Sequence, residues 1–340
     1  MTYNSVDLYA GCGGLTRGME RAGFDTKVAV EIEDDAVLTF KMNHKKTDVI
    51  QKDIRLITAH EVKTKLSGQQ LHLLAGCPPC QGFSSVRRLN RKRNIRDKRN
   101  NLVLEYLRFV KELKPLTIMM ENVPGLIHYY LFKQMLRELK VLGYFLDTKI
   151  VDAKDFGVPQ RRKRLVLVGS LLGEIKVAEG TGPKVTVRDA IWDIEDISLT
   201  RDPIHRVVTK HQDRIQELIA MIPKDGGSRK DLNEQYTLKC HKKKNVGFND
   251  IYGRLRWDDY SSTITGGCLN PSKGRFLHPV KNRAITAREA ALLQSFPRDY
   301  KFPNTISKTS IALLIGNALP PKLSYAQSLN IKNHLEQYLG

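Results

Sequence analysis

The first half of the chain alternates short apolar runs with stretches of helical spacing, and this alternation restricts the fold more than any other feature. Residues 4–10 (NSVDLYA), 26–31 (TKVAVE), 71–75 (LHLLA), 116–121 (LTIMME) and 164–169 (RLVLVG) read as buried strands. Between them, 100–114 (NNLVLEYLRFVKELK) spaces Leu102, Leu104, Leu107 and Val110 as a helix does. Strands alternating with helices predict an α/β fold, a doubly wound and mostly parallel sheet covered on both faces. Near residue 180 the texture changes. Residues 198–250 are polar and rich in Lys, His, Asn and Asp, which suits a separate smaller domain. Helical spacing returns at 286–295 and at 307–338, the latter around a Gly-Asn-Ala-Leu-Pro-Pro turn. The expected organisation is therefore a first domain over 1–180, a second over 181–285, and a C-terminal segment, 286–340, packing back on the first.

Charge narrows the partners. The net charge of +20 points to a polyanion. Part of it is concentrated in residues 84–100, SSVRRLNRKRNIRDKRN, with eight Arg or Lys against one acidic residue, Asp97. No run approaches the roughly 18 apolar residues of a membrane helix. The N-terminus lacks a basic segment followed by an apolar one, so a cytoplasmic protein with reduced cysteines is expected.

Two motifs carry chemistry. The first strand runs into Gly11-Cys12-Gly13-Gly14, where glycines permit a sharp turn and close approach of a ligand to the backbone. Glu31 ends the next strand, where an acidic side chain can accept from ribose hydroxyls; Asp53, past Val49-Ile50-Gln51-Lys52, is a second polar group at a strand end. A structural turn and a helix N-cap are the plainer alternatives. The second motif is Gly76-Cys77-Pro78-Pro79-Cys80-Gln81-Gly82-Phe83-Ser84, directly after a strand. Zinc, a redox pair and a nucleophilic Cys80 are all open to it. Zinc would need a second ligand pair that the sequence does not offer, so no metal is expected. A redox pair would leave the charge unexplained.

With Pro79-Cys80-Gln81, the chain resembles the C5-cytosine DNA methyltransferases. Further motifs follow in that family's order: Asp7-Leu8-Tyr9-Ala10-Gly11-Cys12-Gly13-Gly14, Glu121-Asn122-Val123, Gln160-Arg161-Arg162-Lys163-Arg164, Arg254-Leu255-Arg256 leading to Ser262-Thr263-Ile264-Thr265, and Gly316-Asn317-Ala318-Leu319-Pro320-Pro321. The resemblance spans residues 7 to 321.

The resemblance implies a Rossmann-like fold with S-adenosylmethionine as cofactor. Residues 1–180 would be the catalytic and cofactor-binding domain, 181–285 a target-recognition domain, and 286–340 a hinge and C-terminal segment. Cys80 would attack C6 of a flipped-out cytosine, Glu121 would meet N3, and Arg162 and Arg164 would offer planar donors, Arg164 foremost to the base. Tyr9 would lie against the adenine, Gly11, Gly13 and Gly14 would form the cofactor turn, and Glu31 would hold the ribose. Asp53 would sit near the adenine amino group, and Pro79, Leu102 and Asn317 would line the pocket. For Tyr9 and Leu102 core packing is the plainer alternative. Gln81, Ser84, Ser85, Arg87, Arg88, Arg91, Arg254 and Thr265 would contact DNA. The implied setting is prokaryotic: a monomer acting on double-stranded DNA, with pairing to a restriction endonuclease, a solitary methylase and another defence role all open. A tRNA cytosine methyltransferase, a non-catalytic nucleic-acid-binding protein and a nicotinamide-dependent oxidoreductase are the rival readings. The Cys-Phe-Thr signature of the tRNA branch is missing, Cys240 being followed by His241 and Lys242.

Overall fold

The computed structural model describes residues 2–79, 101–236 and 250–340. Its contacts define two compact units. The first comprises Met1–Phe156, Lys163–Thr181 and Leu319–Gly340; the second comprises Gly157–Arg162 and Gly182–Ala318.

The first unit is built on a seven-stranded sheet. Its strands are β1 (Tyr3–Leu8), β2 (Phe24–Glu31), β3 (Asp48–Gln51), β4 (Leu73–Gly76), β5 (Thr117–Asn122), β6 (Phe145–Asp152) and β7 (Lys163–Ser170). The spatial order is β3-β2-β1-β4-β5-β7-β6. β3 through β5 pair in parallel, whereas β7 runs antiparallel to both neighbours. The expected doubly wound, mostly parallel sheet is what the chain forms. All six residues of β1 are buried, as a central strand covered on both faces requires. The expected first strand stops two residues early because Tyr9 turns into the left-handed region, φ 62°. β6 escapes sequence reading: it is an edge strand, half exposed, and Asp147, Thr148 and Lys149 interrupt its apolar run.

Helices α1 (Gly14–Ala22), α2 (Asp34–Asn43), α3 (Ala59–Lys65), α4 (Leu102–Leu113) and α5 (Tyr130–Val141) follow the strands. The buried face of α4 is Val103, Tyr106, Leu107, Val110 and Leu113, the 3–4 spacing of an amphipathic helix. It shares the largest apolar core with Val6, Leu8, Leu74, Ile118 and Met120, alternate residues of β1, β4 and β5. The Tyr106 hydroxyl lies 3.0 and 3.1 Å from the carbonyls of Leu74 and Met119, spanning β4 and β5. On the opposite face α1 packs against the C-terminal helix, which is introduced below. A Cβ at Gly18 would stand 2.3 Å from Ser324 Oγ, so only glycine permits this approach. Ser324 Oγ uses the proximity to donate to the Leu15 carbonyl at 2.7 Å.

The second unit contains α6 (Val187–Ile191), α7 (Asp213–Met221), α8 (Ala287–Leu293) and α9 (Lys308–Asn317). Its β content among the described residues is three isolated bridges. The C-terminal helix α10 (Pro321–Leu339) belongs to the first unit. The segment 286–340 is thus shared: α8 and α9 group with the second unit and α10 with the first. The dividing turn is Ala318-Leu319-Pro320, where proline cannot continue α9. No helix among the described residues is long and apolar enough to cross a membrane.

Candidate active site

The carboxyl ends of β1, β2, β4 and β5 lie along one edge of the sheet, where doubly wound folds place their sites. At the end of β1, Tyr9, Gly11 and Gly13 all take positive φ, 62°, 56° and 91°. Glycine adopts this at no steric cost; for Tyr9 it is strain held by packing. Gly13 caps α1 in this conformation, and Gly14 is the first helical residue. The Tyr9 hydroxyl donates to the Leu102 carbonyl at 2.7 Å, so the two residues expected to line one pocket are joined. Both also pack against the apolar core, as the plainer alternative supposed.

Glu31 closes the turn. Its Oε2 accepts from Gly11 N at 2.8 Å, and its Oε1 from Ile32 N and Glu33 N at 2.8 and 2.9 Å. A carboxylate offers about four acceptor positions, which leaves Oε2 one for a hydroxyl. A Cβ at Gly11, whose N–H this carboxylate accepts, would meet nothing within 4 Å among the described residues. Asp53 takes the capping role that the plainer alternative gave it. Its side chain accepts from Arg55 N at 3.0 Å, capping the turn Ile54–Leu56, and pairs with the Arg55 guanidinium at 2.5 Å. The hydrogen bonds from Arg55 hold its carboxyl below the usual range. The N-cap role is the one observed. An adenine contact would have to displace an exposed ion pair, and such pairs are weak.

Beyond β4 the chain continues through Pro78 and Pro79. Asn122, at the end of β5, donates from Nδ2 to the Pro78 carbonyl at 2.8 Å and so ties down this segment. Its neighbour Glu121 is buried and faces Arg164, with Arg164 Nε 2.7 Å from Oε1. The contact is an ion pair without an aligned hydrogen bond. Antiparallel pairing creates it: Asn122 stands opposite Leu165, so the last turn of β5 meets the start of β7. Under this edge lies Asp7, fully buried, with Oδ2 accepting from Thr16 Oγ1 at 2.5 Å. Burial pushes its carboxyl up to about 7, with the Thr16 hydrogen bond pulling the other way. Asn122, Asp7 and Thr16 are missed as site residues by sequence reasoning, although the first two stand inside quoted motifs. A polar residue on a strand that is otherwise apolar is the signal that marks them.

Two expected site residues are corrected by their surroundings, both within the second unit. Arg162 is 2% exposed, and its guanidinium donates to the carbonyls of Ile264, Gly316 and Ala318 at 2.8–3.1 Å. It clamps backbone and does not present a fork to a base. Arg254 is 0% exposed. Its Nε and both terminal nitrogens donate to the carbonyls of Ile222, His278, Lys281 and Ile219 and to Asn282 Oδ1. All five donors are consumed, leaving none for phosphate. Thr265 is half-buried, its hydroxyl accepting from Gly267 N at 3.3 Å, and Asn317 is exposed. Cys80, Gln81, Ser84, Ser85, Arg87, Arg88 and Arg91 lie outside the described residues, as do Cys240 and Lys242 to Lys244. Cys12 and Cys268 are core residues, their thiols pushed by burial up to about 12.

Comparison with known proteins agrees with this architecture. A family model described as C-5 cytosine-specific DNA methylase matches residues 3–333. Type II methylase M.HgiDII of Herpetosiphon aurantiacus is 32% identical, over 97% of this chain and 95% of that protein. Type II methyltransferase M1.HphI of Haemophilus parahaemolyticus is 31% identical, over 96% and 86%. Among solved structures, a prophage-encoded protein of E. coli described as a DNA modification methyltransferase superposes with a TM-score of 0.75. It is 26% identical and covers 98% of this chain and 99% of that one. The chain belongs to the C-5 cytosine-specific DNA methylase family.

Proposed function

We propose that the protein methylates C5 of cytosine within a specific double-stranded DNA sequence, using S-adenosylmethionine and a covalent Cys80 adduct. The observation that carries this reading is the shielded Glu121–Arg164 pair next to Asn122, which tethers Pro78, on the same sheet edge as Glu31 and the Gly11–Gly14 turn.

Cytosine C5 is a weak nucleophile. Addition of the Cys80 thiolate to C6 would convert the ring to an enamine with electron density at C5. The charge that develops would be met at N3 by Glu121, held in place by Arg164. Once C5 carries the methyl group, H5 would leave as a proton to water and Cys80 would depart as the thiolate, which restores the aromatic ring. When bound, S-adenosylmethionine supplies the electrophilic methyl group. Glu31 Oε2 and the position beside Gly11, clear among the described residues, fit a ribose, and Tyr9 and Leu102 would border the adenine.

The target carbon lies inside the duplex, so the nucleotide would have to be flipped out. The basic run 84–100 would contact phosphates, and the second unit would read the sequence. The similarity to Type II methylases supports a role beside a restriction endonuclease.

The test is incubation with methyl-labelled S-adenosylmethionine and unmethylated duplex DNA, next to Cys80→Ala. Label in 5-methylcytosine that the variant abolishes is expected. Label absent from DNA but present on tRNA would overturn the substrate assignment.

A further inference from the structure

Cys77 stands between the end of β4 and Pro78-Pro79. Gly76 is paired with Met120, so one further step along each parallel strand brings Cys77 alongside Glu121. Its backbone is fixed on the other side, Cys77 N donating to the Leu8 carbonyl at 3.2 Å. The next residue, Pro78, is held through its carbonyl by Asn122. Matching positions on neighbouring parallel strands put the half-buried Cys77 side chain and the Glu121 carboxylate side by side on one face of the sheet. The charged and titratable groups around the thiol are Glu121 on β5, Arg164 on β7, Asp7 on β1 and Tyr106 on α4. We propose that Cys77 is a positioning residue for Glu121, its S–H donating to the carboxylate that Arg164 grips on another side. Removal from water, reinforced by Glu121, keeps the thiol well above its ordinary range, so it stays a donor at neutral pH.

The choice of donor has a chemical consequence. A thiol is a weak donor, so it orients the carboxylate while withdrawing little of its basicity. A hydroxyl in the same place would stabilise the ionised form more strongly, and a methyl group would not stabilise it at all. The proposal rests on the reading of Glu121 as the group that meets the base.

The experiment is single-turnover methylation of duplex DNA as a function of pH, with saturating cofactor, for wild type, Cys77→Ser, Cys77→Ala and Glu121→Gln. The limb of the profile that Glu121→Gln removes is the limb belonging to Glu121. On it, Cys77→Ala is expected to raise the apparent pKa by about half a pH unit, and Cys77→Ser to lower it by a similar amount. Alkylation of Cys80 by iodoacetamide is expected to keep its wild-type rate in both. A purely structural cysteine would shift neither limb, or both variants in one direction; either result overturns the proposal. Should Glu121→Gln itself keep the wild-type rate and profile, the reading of Glu121 falls first. Opposite shifts by the two Cys77 variants on a limb that Glu121→Gln abolishes support both.

Discussion

Arg164 Nε lies 2.7 Å from Glu121 Oε1, with only 14% and 10% of the two side chains exposed. Charges this shielded attract more strongly than a surface pair and are costly to leave alone. Arg164→Ala should therefore slow methylation by about 10²-fold and destabilise the fold by about 3 kcal/mol. Arg164→Lys should recover stability more than rate, because an ammonium keeps the charge but loses the planar fork. Single-turnover rates and thermal unfolding of the two variants decide it. A normal rate in Arg164→Ala would remove the pair from the mechanism.

Arg254 offers a contrast within the second unit. A residue with five consumed donors and no exposure should act on stability and not on phosphate. Arg254→Ala should cost about 3 kcal/mol or more, since it orphans several buried carbonyls at once. For the folded fraction, the salt dependence of DNA binding should keep its slope. A slope reduced by about one, with stability unchanged, would mark a phosphate contact instead.

Asp7 makes stability depend on pH with a sign opposite to that of a salt-bridged carboxylate. Its carboxyl is raised from 3.8 to about 7 in the folded protein, so the native state binds the proton more tightly. Its contribution is most favourable below about pH 4, declines as pH rises through the folded value, and levels off above it. The full span is at most about 4 kcal/mol. Asp7→Asn should flatten the curve of unfolding midpoint against pH between 4 and 7, measured without cofactor. An unchanged curve would show that Asp7 does not titrate there.

Glu31 has one acceptor position to spare, and among the described residues nothing comes within 4 Å of a Cβ placed on its partner Gly11. Glu31→Gln keeps the volume but exchanges two acceptors for two donors. It should weaken S-adenosylmethionine binding by roughly 10- to 100-fold, equivalent to one or two hydrogen bonds to a charged group. Calorimetric titration measures this, with DNA affinity as the control. Equal cofactor affinity in the variant would place the ribose elsewhere.

Much of the fold was legible because its signals are local. Five of the strands betray themselves as short apolar runs, since a strand covered on both faces has no room for polar side chains. α4 is visible in the spacing of Leu107 and Val110, and the β1–α1 turn in its glycines. β6 was not visible, because an edge strand half in water has a mixed sequence. The shared C-terminal segment was not visible either: α8, α9 and α10 read alike as helices, and nothing in their spacing tells which unit each will join.

The same boundary runs through the site. From sequence alone came the residue types: a glycine turn followed at a distance by Glu31, a Pro-Pro-Cys run after a strand, an acidic residue ending another strand, and a basic run. These follow from what the backbone and the chemistry demand at single positions. Only the tertiary structure decided which of three similar arginines does what. Arg162 and Arg254 are drawn inward by clusters of backbone carbonyls, while Arg164 meets Glu121 because β7 runs antiparallel to β5. A guanidinium's role is set by the acceptors that folding brings to it, and those acceptors come from positions far away in the chain.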